Sequence, residues 1–303
     1  MTASGSTATA GQLVDGYELV ARRSDHGLGD VWIAQRPHQA AERAVVKLIA
    51  PLPGDGAVAP RAFEELLKKL TRITSPNLVT VRGGGVLQRW LYVLTEAIEG
   101  RTLEDWLQGC RDADNRPPPG VVLHVFDSLC GALQGAHRQG VVHGALSPAT
   151  VMLKALSPGA YHAWVLDLGV APWIREAAAQ AALEAPSPVY QSPEEAQGVA
   201  LTPRSDVFSL ALLLTEMLTL TATPGCTARE TLARYVQREH RRLVEHLRPL
   251  RDDVHEDFWS VLVAALHPDP AQRPESALQL KNRIRAAAQN AGLWRDVPEA
   301  VAE

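Results

Sequence analysis

The run Gly140–Lys154, GVVHGALSPATVMLK, decides how the chain is read. Two apolar stretches flank a short polar turn that starts at His143 and contains Pro148. Proline fixes φ and removes an N–H, so this segment is a defined turn between two anchors. That is the rhythm of an active-site loop. Yet the turn HGALSPAT carries no acid, no lysine and no amide side chain. The chain on either side has to explain why such a loop is built without reactive groups.

Upstream, Tyr17 to Leu94 is strand-rich. GYELVAR, DVWIAQ, AVVKLIA, LVTVRGG and WLYVLTEA are short runs with β-branched and aromatic residues. Between the third and fourth lies a helical pattern, PRAFEELLKKLTRI, with Phe63, Leu66, Leu67, Leu70 and Ile73 on one face. From EAIEGRT onward the character changes. VVLHVFDSLCGALQGAHRQG puts Leu123, Phe126, Leu129, Cys130, Leu133 and Ala136 on one stripe. SDVFSLALLLTEMLTL is apolar nearly all round, as in a buried helix. DDVHEDFWSVLVAALHP and ESALQLKNRIRAAAQNAGLW are amphipathic, the second expected to open at Pro274 with Glu275 in its first turn. CRDADNRPPPG and APSPVYQSPE read as loops.

The fold class expected is α+β: a small antiparallel β-sheet lobe with one main helix, and a larger, mainly helical lobe. The boundaries expected are a disordered leader over 1–15, a small lobe over 16–95, a large lobe over 99–294 and a tail over 295–303. A net charge of −4 gives no basic surface for nucleic acid or an anionic membrane. Cys110, Cys130 and Cys226 lack metal-ligand spacing and point to reduced thiols in a cytoplasmic setting. MTASGSTATAG has no basic flank or apolar core, so it is not a secretory signal, and FSLALLLTEML is too short to span a bilayer.

Taken in order, these elements and several short motifs resemble a bacterial-type serine/threonine protein kinase domain over about Tyr17–Trp294. SDHGLGDVWIA stands at the glycine-loop position, AVVK at the strand that supplies Lys47, and TEAIEG at the linker between lobes. HGALSPAT takes the catalytic-loop position and LDLG the metal-binding one. PSPVYQSPE, SDVFSL and QRP supply Glu194, Asp206 and Arg273. The resemblance implies a nucleotide site of Gly29, Val31, Val45, Lys47, Thr95, Glu96, Ile98, Met152 and Asp167, with Asp167 the candidate Mg²⁺ ligand. It implies structural roles for Leu70, Val81, His143, Leu168, Glu194, Asp206 and Arg273. Glu194 and Arg273 are expected to pair.

Residue by residue, the parts that do chemistry are the ones that depart. Ala145 stands where the family has its proton-accepting aspartate, Ser147 where it has lysine and Thr150 where it has asparagine. Loss of a general base typically costs about 10²–10⁴ in rate, and loss of a charge stabiliser about 10²–10³. Leu66 falls at the small-lobe helix glutamate position, with Glu65 one residue off register. Ser24 and His26 replace two glycines, and Val45 narrows the slot above an adenine ring. Ser187, Tyr190 and Ser192 remain only as candidate phosphate acceptors, and the alanine-rich run after the LDLG motif, which lacks threonine, reads as a short helix and not as a phosphate-ordered loop.

The expectation is a catalytically impaired, kinase-like signalling scaffold or allosteric regulator, with ATP and Mg²⁺ bound weakly or not at all. Its partner is expected to be a protein: an active kinase, a phosphopeptide-binding adaptor or a signalling complex. The alternative is an atypical active serine/threonine kinase.

Overall fold

A computed structural model describes residues 8–23, 30–51, 60–88, 90–181, 188–221, 244–245, 248–251 and 253–292. Gly29, Ser24, His26, Ser187, Cys226 and the tail 295–303 lie outside the described residues. The chain forms two compact units, Met1–Glu99 with Asp167–Pro186, and Gly100–Leu166 with Ser187–Glu303.

Unit one is an antiparallel sheet of β1 (Leu13–Val14), β2 (Tyr17–Arg23), β3 (Val31–Arg36), β4 (Gln39–Pro51), β5 (Val81–Leu87) and β6 (Trp90–Glu96). Their spatial order is β1-β2-β3-β4-β6-β5. Side chains alternate across a pleated strand. Trp32, Ala34, Ala44, Val46 and Leu48 therefore bury on one face with Tyr17, Leu19, Tyr92 and Leu94. Their neighbours Val31, Ile33, Val45 and Lys47 fall half-buried on the other. Helix α1 (Arg61–Leu70) has no side-chain N-cap, but Glu64 in its first turn and Lys68 and Lys69 in its last suit the helix dipole. Phe63 and Leu67 bury with Ile49, Leu91 and Val93, and Leu66 packs half-buried against them.

Residues 8–15 correct the expectation of a disordered leader. Leu13 and Val14 pair with Glu18 and Tyr17, and Ala8 is buried in the sheet core. Asp15 and Gly16, at φ 49° and 77°, make the two-residue turn. Positive φ at both central positions is the hairpin geometry for which Asp-Gly is the strongest short-range signal. The Ser/Thr/Ala/Gly-rich composition of the segment masked it.

Unit two contains α2 (Leu103–Asp112), α3 (Pro119–Arg138), α5 (Pro193–Ala196), α6 (Pro203–Thr219), α7 (Glu256–Ala265) and α8 (Ala277–Asn290), while α4 (Ala171–Ala181) belongs to unit one. The predicted stripe of α3 is buried throughout, and α6 is buried from Ser205 to Thr219. Two features went unforeseen. Helix α2, capped by the Thr102 hydroxyl accepting from Asp105 N–H at 3.0 Å, runs on through Cys110–Asp112, the start of the stretch read as a loop. A second, three-stranded sheet joins β7 (Arg101–Thr102), β8 (Val151–Ser157) and β9 (Ala160–Val165), so this unit is not purely helical. The start of α8 also shifts: the Ser276 hydroxyl accepts from Gln279 N–H at 3.1 Å, which places Glu275 before the cap. No helix among the described residues is long and apolar enough to cross a membrane.

Gly84 lets β5 pass close to its neighbours. A Cβ there would lie 2.6 Å from the Tyr92 carbonyl oxygen and 2.7 Å from Leu67 Cδ2. Gly84→Ala is expected to cost about 1–3 kcal/mol by overpacking. Urea titration should show a lower midpoint with unchanged slope. An unchanged midpoint would mean that this contact is not tight.

Candidate functional site

The loop after α3 is held from inside. Val141, Leu146 and Pro148 are buried. His143 is fully buried, with Nδ1 accepting from Ala145 N–H at 3.2 Å. That assigns the proton to Nε2, which donates to the Leu166 carbonyl oxygen at 2.8 Å. Gly144 sits at φ 73°, where a side chain would be strained. Glycine at this position thus eases the backbone.

Asp206, near the N-terminus of α6, reaches this loop. Its carboxylate accepts from His143 N–H and Gly144 N–H, each at 2.9 Å, and lies 2.7 Å from His137 Nε2. Burial raises its pKa. The hydrogen bond from His137 and that from the Gly144 N–H more than offset that, and hold it below the ordinary range. His137 went unforeseen in sequence, where it was one polar residue near the end of an amphipathic helix.

Of the three departures in the loop, two are half-buried and one is turned inward. Ala145 offers a methyl group only, and Ser147 is half-buried. Thr150 is 1% exposed, so its side chain is turned into the fold. Its hydroxyl accepts from Ser147 N–H and donates to the Ser147 carbonyl oxygen, each at 3.0 Å. The hydroxyl is committed to closing its own turn, a local side-chain-to-backbone use typical of threonine.

In unit one, Lys47 lies opposite Val31 on β3 and Val93 on β6, while Val45 lies opposite Thr95. These residues share the half-buried sheet face. Glu96 accepts from Thr80 N–H at 2.8 Å through its side chain, and Ile98 is half-buried. Lys47 Nζ pairs with the carboxylate of Asp167, and both side chains are about one-seventh exposed (14% and 16%). Asp167 has φ 56°, an uncommon left-handed conformation for a non-glycine residue. Glu65 does not stand in for the missing helix acid: it faces solvent and pairs with Lys68 at 2.9 Å. Leu70 and Leu168 are buried and Val81 packs half-buried against the core beside α1, whereas Met152 is buried in β8 of the other unit.

The segment around Tyr190–Glu194 in unit two is tied down. Arg273 makes a bidentate pair with Glu194 at 2.8 Å for both contacts and donates to the carbonyl oxygens of His267, Pro268 and Arg204. Its guanidinium lies 4.8 Å from the Phe208 ring centroid. Burial pushes the Glu194 carboxyl up, but Arg273 and Ser205 hold it net low. Tyr190 donates to Glu216, which also pairs with Arg111, and Arg111 donates to the Leu220 carbonyl oxygen at 2.8 Å. Ser192 is fully buried and caps α5. Tyr190 and Ser192 are therefore occupied structurally, which corrects their reading as acceptors.

Asp167 is engaged by Lys47, and the Thr150 proton goes to Ser147. Among the described residues no group of three or more His, Cys, Asp or Glu side chains could hold a metal.

The protein kinase domain family matches residues 35–283, and the chain belongs to that family. Similar curated proteins include serine/threonine-protein kinase PkaA of Streptomyces coelicolor, 29% identical over 88% of this chain and 48% of that protein. PknB of Mycobacterium leprae is 29% identical over 70% of this chain and 33% of its own length. PknB of Mycobacterium tuberculosis is 27% identical over 90% and 43%. The chain thus spans between a third and a half of these relatives. The crystal structure of the PknI kinase domain of Mycobacterium tuberculosis superposes with a TM-score of 0.69 at 21% identity, covering 93% of this chain and 100% of that one. The fold is the protein kinase fold, with an antiparallel β-sheet N-lobe and a helical C-lobe.

The depressed pKa of Glu194 fixes a sign. Its contribution to stability is present above the unfolded carboxylate value and is lost as pH falls through the lower, folded value. Glu194→Gln leaves Arg273 buried without its counter-charge, at a cost of about 3–5 kcal/mol. Thermal unfolding from pH 7 to pH 3 should show a steep fall for the parent protein below about pH 4.5. The variant should start lower and fall less. Parallel curves would remove Glu194 as the source of the acid sensitivity.

Proposed function

We propose that this chain is a kinase-fold regulator whose phosphoryl transfer is impaired and which acts on a protein partner by contact. The observation that carries the reading is the loop Ala145–Thr150. Phosphoryl transfer depends on positioning, metal ions and stabilised charge. At this loop a methyl group stands at the base position and a buried, self-bonded hydroxyl at the second metal-ligand position. Asp167, the remaining candidate ligand, is held by Lys47. The partner classes that fit are an active kinase or a phosphopeptide-binding adaptor, and both follow from family analogy.

A second reading has specific support. The relatives carry the names of serine/threonine kinases, and Lys47 and Asp167 survive side by side. On that reading the chain is an atypical active serine/threonine kinase, and the names of its relatives favour this over impairment.

One pair of measurements separates them. Purified protein is incubated with γ-labelled ATP, Mg²⁺ and generic or self substrates, beside Lys47→Ala and Asp167→Ala. Impairment gives labelling equal to both variants. Transfer that disappears in both variants establishes the second reading. Thermal unfolding with ATP then reports occupancy, since ligand at 100 times its Kd adds about 2.7 kcal/mol. The expected shift is small or absent, with and without Mg²⁺.

A further inference from the structure

The sequence Ala-Leu-Ser-Pro occurs twice, at residues 145–148 and 155–158. The first copy is built into the loop after α3. Leu146 and Pro148 are buried, and the Ser147 N–H and carbonyl oxygen both bond to the Thr150 hydroxyl. The second copy is displayed. It ends β8, where every residue from Lys154 to Gly159 is exposed and Leu156 is 59% exposed. The pairing of β8 with β9 slips by one residue between Ala155 and Ser157. A bulge of this kind re-aims a side chain.

The hairpin that carries this copy is held at its base. Ala163 and Val165 of β9 are buried, and the Tyr161 ring meets Trp106 of α2 edge-on with centroids 5.5 Å apart. Pro158 and Gly159 form the tip, with Gly159 at φ 80°, a conformation that favours glycine. On the other side of β8, β7 pairs only with Met152 and Leu153. No strand among the described residues therefore covers that edge of Ala155–Ser157. An open strand edge is a surface that an enzyme groove can pair with. Proline after Ser157 keeps the serine in extended backbone, ready for such pairing.

The chain has five serine–proline steps, at Ser75, Ser147, Ser157, Ser187 and Ser192. Ser75 is half-buried and accepts from Asn77 N–H at 3.3 Å. Ser147 is half-buried in its closed turn, and Ser192 is fully buried at the cap of α5. Ser187 lies outside the described residues. Of the four described, Ser157 alone is exposed.

We propose that Ser157 is a phosphorylation site, modified in trans by an active serine/threonine kinase that reads Leu-Ser-Pro at the open edge of β8. This rests on the reading above that the chain meets an active kinase. The Ser157 Oγ attacks the γ-phosphorus of ATP held by that kinase. The Oγ–P bond forms, the bond from the γ-phosphorus to the β,γ-bridging oxygen breaks, and ADP leaves with that electron pair. The hydroxyl proton passes to the base of the acting kinase. The ester adds a charge of about −1.5 to −2 to a strand end where Leu156 stays exposed.

The full chain is purified with phosphatase inhibitors from the cells that naturally make it, and phosphate is located by tandem mass spectrometry after trypsin. Cleavage after Lys154 puts Ser147 and Ser157 on different peptides. Phosphate is expected on Ser157 and not on Ser147. In the same cells Ser157→Ala should lose it, Ser157→Thr should keep it and Pro158→Ala should lower its occupancy. Lys47→Ala should keep it, because another kinase supplies the phosphate. No phosphate on Ser157 would overturn the proposal. Equal phosphate on Ser147 would overturn it too, since display of the motif would then decide nothing. Loss of phosphate in Lys47→Ala would make the step self-labelling and reject transfer in trans. The transfer assay above uses the isolated protein, so its outcome is read separately from these.

Discussion

A buried carboxylate organises the loop on which the larger unit turns. Asp206 is 1% exposed and would be costly to bury as a charge. It is stabilised there because two backbone N–H groups and a histidine converge on it. Those two N–H groups belong to His143 and Gly144, so the turn is fixed by its backbone and not by the side chains it displays. His143 then clamps Leu166, and Thr150 closes the end of the turn. This arrangement is indifferent to whether residue 145 is an acid or an alanine.

That indifference explains how the loop can keep its shape while its reactive groups are gone. Apolar anchors at Val141, Leu146 and Pro148 fill the interior. Ala145, Ser147 and Thr150 bring no charged side chain to the loop. The pattern repeats elsewhere. Glu194 and Arg273 remain as a satisfied buried pair. Lys47 and Asp167 remain as well, but engaged with each other across the foot of a helix that packs on α1.

The sequence disclosed the fold because periodicity and turn chemistry agree along most of the chain. The strands of unit one, the stripe on α3 and the all-round apolar α6 follow directly from residue spacing. The Glu194–Arg273 pair was foreseen only through the family resemblance. What stayed hidden depends on tertiary context. The Asp15–Gly16 hairpin signal was legible but was outweighed by the composition around it. Packing of Trp173 and Ile174 against Phe63 joins residues more than 100 positions apart, which no local pattern encodes. Thr150 stood out only as a departure from asparagine, and its hydrogen bonds to Ser147 show the hydroxyl turned into the fold.

The account's central claim is that this loop is maintained by Asp206 for the sake of the fold. Equilibrium unfolding of Asp206→Ala beside Ala145→Ser tests it most directly. Removing the buried carboxylate takes away the acceptor shared by His143 N–H, Gly144 N–H and His137, and the stability should fall by about 3–5 kcal/mol. Ala145→Ser should stay within about 0.5 kcal/mol of the parent. Equal and small effects in both variants would contradict the account.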